Sequence, residues 1–339
     1  MTNINISIII PLYNGSRYIQ KTLDSVINQN FNNYEIIIVD DGSTDDSLDK
    51  TKKILSKTDI STQIISQKNK GASNARNKGL SLAKGQYILF LDDDDYIDSN
   101  HMKYLYDVVK ENKTDFAFTK ILKFNVNGDI LTNLNEYDFL NNKKVISSLD
   151  LIKADLEMKI PFSFSLILYN SKILKENNIT FNESNVYGED TEFAIKALYC
   201  GNNVSIVNKP TYFYLQHAES ATSNLYLKRF SIVEIFENLA DFFKNNEDKH
   251  SKEENIELEN LIKYNRVPKA IFGNLMYFFY NNYDIKDIFN EMERLNLFSK
   301  LADFKMANFR DILFLIKTKV FLTNPTMYYK VWKTFKNSI

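Results

Sequence analysis

The chain has 339 residues, 44% of them hydrophobic and 25% charged, a globular composition with room for one large domain and an appendage, or for two domains. Its formal net charge is −1, from 42 basic and 43 acidic residues, so the molecule offers nucleic acid no general attraction and none is expected as a partner. A single cysteine, Cys200, excludes an internal disulfide and a cysteine-built metal cage; with no signal-peptide pattern and no apolar run of about 18 residues, the expected location is the cytoplasm.

"ISIIIPLYN" opens the chain as an apolar run ended by Pro11, which predicts a strand buried on both faces. In "SRYIQKTLDSVINQ" the residues Ile19, Leu23, Val26 and Ile27 fall on one helical stripe, and "EIIIVDDGSTDDS" then predicts a second buried strand ending in acidic and turn residues. Leu48, Thr51 and Leu55 line a further helix, "TQIIS" is a short strand, "ASNARNKGLSLAKG" reads as a helix closed by Gly85, and "QYILFL" is the next strand. This alternation predicts a mostly parallel sheet with helices on both faces, which binds ligands at the carboxyl ends of its strands. Asp40, Asp41 and the aspartates at 92 to 95 stand at such ends.

Beyond residue 100 the alternation is irregular. "DFAFTK" and "FSFSLILYN" read as strands around an Asn-rich stretch from 125 to 149, and "EDTEFAIKALYCG" reads as a helix with Phe193, Ala194, Ala197 and Leu198 inward and Gly201 as its stop. "PTYFYLQH" follows as a strand, and from about residue 225 the pattern is helical. From Lys305 onward seven basic residues face Asp311 alone, a local balance of +6 that leaves the remainder at −7. This tail mixes lysines with Leu, Phe, Tyr and Trp332. Three readings of it stand open: a surface that packs on the rest of the protein or on another subunit, a peripheral contact with an anionic membrane face, and binding of an acidic polymer.

The chemistry concentrates in "LDDDD". Two unit charges about 4 Å apart at an effective dielectric near 20 interact by roughly 4 kcal/mol, so a packed carboxylate cluster needs water or a cation. Dinucleotide binding requires a Gly-rich turn, whereas "PLYNGS" has one glycine. "IIIVDDGST" also resembles the acidic turn of aspartyl phosphatases, but the second carboxylate that chemistry needs is here Gly42.

"SIIIPLYN", "VDDGSTD", "KGASNARNKGLSLAKGQYILFLDDDD" and "GEDTEF", in this order and spacing, resemble bacterial family 2 inverting glycosyltransferases of the GT-A fold through about residue 220. The resemblance implies a Rossmann-like GT-A catalytic domain over 1–220, followed by a helical region over 221–339 for acceptor, oligomer or membrane contact. It implies a UDP-sugar donor, a hydroxyl of a bacterial surface glycan or lipid-linked saccharide as acceptor, and Mn2+ or Mg2+ as cofactor. In its terms Pro11, Leu12 and Tyr13 shape the nucleoside pocket, Asp41 accepts from the base imide, Arg76 reaches the diphosphate, and Asp92 and Asp93 complete the donor site, Asp93 facing the ribose. Asp94 is the implied metal ligand, with His217 as a second ligand or a phosphate donor and Ser220 beside it. Asp95 reads as structural, Asp190 as the general base, and Glu189 as an acceptor contact or helix cap. The chain departs from the family at Leu215, where relatives often carry an arginine, and in "FSFSLILYN", where they commonly carry a Trp and a Lys. The alternative is a non-catalytic protein of the same fold that binds a nucleotide or polymer. Retention of Asp94, Arg76 and Asp190 together speaks for the enzyme, since a binding module needs no base.

Overall fold

The computed structural model describes residues 4–185, 187–217, 225–246, 248–307 and 311–336. The chain divides into two compact units, 1–155 with 159–184 and 189–220, and 221–339 with 156–158 and 185–188.

The first unit is built on a sheet of nine strands among the described residues. β1 (Ile6–Leu12) and β2 (Tyr34–Asp40) are buried along their whole length, as their apolar runs require. α1 (Ile19–Ile27) and α2 (Ser47–Leu55) follow them, and β3 (Ser61–Ser66), α3 (Ala72–Leu82) and β4 (Tyr87–Phe90) complete the alternating half. In space these strands run β3-β2-β1-β4, all parallel. The strand order reverses at β1, the switch point at which such sheets open a crevice. Pro11 is tolerated in this central strand because β4 pairs only with Ile6 to Ile9, so no ladder bond on that side is lost at Pro11.

Beyond β4 the sheet is mixed, and the mostly parallel arrangement read from the sequence holds for its first half. β5 (Tyr96–Ile97), α4 (His101–Asn112), β6 (Phe116–Asn125), β7 (Val145–Ser147), α5 (Ser148–Leu156), β8 (Ile167–Asn170), α6 (Ser171–Glu176), α7 (Glu189–Tyr199) and β9 (Asn203–Gln216) follow in sequence. β8 inserts antiparallel between β4 and β6, while β6 and β9 pair in parallel. "PTYFYLQ" is the end of this 14-residue β9, and His217 follows it directly. α3 ends at Leu82, before Gly85, because Ala83 turns extended. Gly85 serves a close crossing instead: a Cβ there would lie 2.4 Å from the backbone nitrogen of Ser7 in β1.

The second unit is helical. α8 (Ile232–Asn245) buries Ile232, Ile235, Phe236, Leu239 and Phe243, a 3.6-residue stripe. α9 (Lys252–Leu261) starts at a capping box formed by Ser251 and Glu254 and passes through one π turn into α10 (Val267–Tyr280). α11 (Ile285–Arg294), α12 (Leu297–Ala302), α13 (Ile312–Thr323) and α14 (Pro325–Lys336) complete it. The start of α13 is fixed by Asp311, which pairs with Lys269 at 2.7 Å and accepts from Asn265 and from the Ala307 N–H. Among the described residues no helix is long and apolar enough to cross a membrane.

Candidate active site

The turn after β1 and the turn after β2 are tied together. Asn14, in the left-handed region at φ 53°, accepts from the Thr44 N–H at 2.8 Å and donates its own N–H to Ser43, and the Asp41 N–H donates to the Leu12 carbonyl at the end of β1. This holds Pro11, Leu12 and Tyr13 at the carboxyl edge of the sheet, with the Tyr13 ring 51% exposed. Asp40 accepts from Ser43 N–H and Ser66 Oγ and so fixes its own turn. Asp41 is buried and accepts from Gln67 Nε2, Lys70 N–H and Gly71 N–H. It thereby holds the approach to α3, and of the roughly four positions at which a carboxylate accepts, one remains.

α3 carries Arg76 into a cage of carboxylates and rings. Its guanidinium donates to Asp92 at 2.7 Å, stands 3.6 Å from Glu189, and lies over the Phe164 ring at 4.6 Å. Burial disfavours its charge, but Asp92, Glu189 and Asp190 together outweigh that and raise its pKa. The same helix is pinned from its other side: Asn74 and Asn77 donate to Glu183, and Asn77 exchanges hydrogen bonds with the Phe181 backbone.

The four aspartates occupy four different environments. Asp92 faces Arg76. Asp93 accepts from the Tyr13 N–H at 3.1 Å, and this approach depends on Gly15, where a Cβ would lie 2.3 Å from the Asp93 Oδ2. Burial, with the neighbouring charge of Asp94, pushes the Asp93 carboxyl up to about 8. Asp94 meets His217 Nε2 at 2.8 Å; burial and then Asp92 raise its pKa, and His217 opposes the rise. Asp95, 1% exposed, accepts from Tyr212 Oη at 2.6 Å and from the Leu215 N–H, which ties β9 to this turn. The His217 ring packs against Tyr18 at 4.5 Å, tilted by 31°, and its Nδ1 is buried without a partner.

Glu189 and Asp190 open α7, where the helix dipole favours negative charge. Burial is the main cause that raises both; the charge of Asp190 helps push Glu189 up to about 7, and Arg76 opposes the shift in each. Asp190 also accepts from the Thr191 N–H at 2.7 Å. Through Arg76 the structure thus joins Asp92 after β4 to the first residues of α7. Asp92, Glu189 and Asp190 around one guanidinium, with Asp93 and Asp94 following Asp92 in the chain, leave an excess of negative charge, the setting in which a hard cation is stabilising. Among the described residues no three His, Cys or carboxylate groups converge as a metal cage; Asp94 and His217 meet as a pair. Ser220 lies outside the described residues.

The family model described as glycosyl transferase family 2 matches residues 7–174. The matched stretch is a domain of this family. The glycosyltransferase domain is 36% identical over 214 residues to a poly(ribitol-phosphate) beta-glucosyltransferase of Bacillus spizizenii, covering 62% of this chain and 32% of that protein. It is 29% identical over 218 residues to the poly(ribitol-phosphate) beta-N-acetylglucosaminyltransferase TarS of Staphylococcus aureus, covering 63% and 36%. The chain therefore spans about a third of the length of these relatives. In fold it matches the crystal structure of S. aureus TarS 1–349 in complex with UDP-GlcNAc, at 22% identity and a TM-score of 0.69 over 88% of this chain and 82% of that one. A mannosyltransferase of Pyrobaculum calidifontis in complex with GDP-Man and Mn2+ matches at 14% identity and a TM-score of 0.53, over 97% and 83%. These likenesses establish the GT-A fold.

Residues of the glycosyltransferase domain that sequence reasoning did not single out are Gly15, Tyr18, Asn74, Asn77, Phe164 and Glu183. Asn74 and Glu183 are 109 positions apart, and no local pattern joins them. Gly15 carried a signal, as the one glycine of "PLYNGS".

Proposed function

We propose that this protein transfers a sugar from a UDP-sugar to a hydroxyl of a bacterial surface glycan, with inversion at the anomeric carbon and with Mn2+ or Mg2+ as cofactor. The observation that carries the proposal is the convergence, through Arg76, of Asp92 and the Glu189–Asp190 pair at the carboxyl edge of β4. The names of the relatives support a polyol-phosphate or polysaccharide acceptor, and the UDP-GlcNAc complex of a protein of the same fold supports the uridine donor.

The exposed Tyr13 ring stacks on the base, the remaining acceptor position of Asp41 takes the imide N–H that uracil has and cytosine lacks, and Asp93 meets the ribose. Arg76 gives paired charge-assisted hydrogen bonds to diphosphate oxygens. Asp94 and His217 would hold a divalent ion together with the donor's own oxygens; the carboxylate suits Mn2+ or Mg2+, and the buried, unpartnered Nδ1 of His217 can donate to a phosphate oxygen. When bound, the ion stabilises the charge of the departing diphosphate. Asp190 accepts the proton of the acceptor hydroxyl while that oxygen bonds to the anomeric carbon and the carbon–phosphate-oxygen bond breaks, releasing UDP. Its raised pKa makes it a stronger base than an exposed aspartate, and one base opposite the leaving group gives inversion. Glu189 orients the acceptor.

A panel of UDP-, GDP- and CDP-sugars with Mn2+, scored for slow donor hydrolysis and for thermal stabilisation, tests the reading. Stabilisation and hydrolysis confined to uridine donors are expected; binding without hydrolysis or transfer to any acceptor would leave a nucleotide-binding protein of this fold.

A further inference from the structure

Helices α13 and α14 carry apolar side chains on both faces. Their inner faces pack within the helical unit: Phe314 and Phe321 against Phe272, and Trp332 against Phe279 and Tyr280. That packing accounts for one side of each helix and not for the other. On α13, Ile312, Leu313, Ile316 and Val320 point outward at 45–58% exposure. On α14, Met327, Val331 and Phe335 do so at 46–67%. The spacing of four residues between Ile312, Ile316 and Val320, and again between Met327, Val331 and Phe335, sets each group on one helical stripe. Isolated exposed apolar residues need no explanation, but two ordered stripes on consecutive helices do.

The charge carried by these two helices is of one sign. Lys317, Lys319, Lys330 and Lys333 are exposed, and between Ile312 and Lys336 there is no Asp or Glu. Trp332, Tyr328 and Tyr329 are half-buried beside them. Apolar side chains on helices whose only charges are cations, bordered by amphipathic rings, match the boundary of an anionic bilayer, with hydrocarbon below the headgroups and negative charge at their level. A second copy of the same face would bring lysines against lysines.

We propose that the outer face of α13 and α14 docks on an anionic lipid surface, inserting the two apolar stripes to headgroup depth with the lysines on lipid phosphates. The contact is peripheral, because neither helix is long enough to span a membrane. It holds this face of the protein at the bilayer independently of any sugar donor.

The test is co-sedimentation of the full chain with vesicles of phosphatidylglycerol and phosphatidylcholine, or of phosphatidylcholine alone, at low and high salt. The expected result is binding to the anionic vesicles at low salt that weakens by about tenfold or more at high salt. Lys317→Gln, Lys319→Gln, Lys330→Gln and Lys333→Gln combined should reduce it similarly, as should Val331→Ser with Phe335→Ser. All these side chains are exposed, and thermal melts superimposable on the parent show that the fold is kept. No binding at low salt, equal binding to neutral vesicles, or a stable oligomer in light scattering that Val331→Ser with Phe335→Ser dissociates would each overturn the proposal, the last by assigning the face to a second copy.

Discussion

Glu189→Gln is the substitution whose effect the electrostatics of the site define most sharply. Burial and the charge of Asp190 lift the Glu189 carboxyl from an ordinary 4.5 to about 7, even with Arg76 3.6 Å away. The folded chain therefore binds that proton more tightly than the unfolded chain does. Its contribution to stability is complete below pH 4.5 and is lost as the pH rises through 7. A shift of this size, at 1.36 kcal/mol per pH unit, is on the order of 3 kcal/mol. Glutamine resembles the neutral acid and cannot ionise, so the variant escapes the loss. At pH 4 it should melt with the parent; at pH 8 it should melt higher by roughly 6 to 10 °C. The charge of Glu189 is not among the causes that raise Asp190, and glutamine resembles the neutral acid, so the acid limb of the rate profile should stay in place. Differential scanning calorimetry across pH 4 to 9 reads the first effect and initial rates the second. A variant that melts below the parent at pH 8 would refute the reasoning, because it would mean that the contact with Arg76 outweighs burial.

Chelation should abolish transfer, Mn2+ or Mg2+ should restore it, and Asp94→Asn should mimic the chelated enzyme; full activity in excess EDTA removes the ion from the mechanism. Gly15→Ala places a Cβ 2.3 Å from the Asp93 Oδ2, and since a side-chain carboxylate can swing aside, stability should change by less than about 1 kcal/mol while donor affinity in calorimetry falls several-fold. Asn77→Ala removes three hydrogen bonds to Phe181 and Glu183, and should cost about 2 kcal/mol in denaturant unfolding; an unchanged midpoint would show that α3 is held by other contacts.

The half of the fold that reads from the sequence is the half with local signals. Asp40 and Asp41 follow the buried run of β2, and the aspartates at 92 to 95 follow β4, so apolar runs ending in carboxylates locate the sheet edge and the chemistry together. Tyr96 and Ile97 form a strand of two residues, and β8 takes its place through antiparallel pairing with β4 and β6; neither has a periodicity of its own. The supports of Arg76 are hidden for the same reason. Phe164 and Glu183 reach α3 from about 90 to 110 positions away, and the stretch holding Phe164 reads as a strand and as a departure from the family pattern, with nothing in it that points to α3. Asp95 shows the limit of composition: one of four identical neighbours, it is set apart only by Tyr212 and Leu215, more than 100 positions later.

The central claim is that Asp190 performs chemistry at a donor site it does not build. Calorimetric binding of the UDP-sugar and single-turnover transfer, measured side by side in the parent and in Asp190→Asn, test it directly. In Asp190→Asn a donor Kd within a few-fold of the parent and a transfer rate lower by roughly 10² to 10⁴ are expected; lost donor binding with turnover little changed would instead assign Asp190 to the donor site.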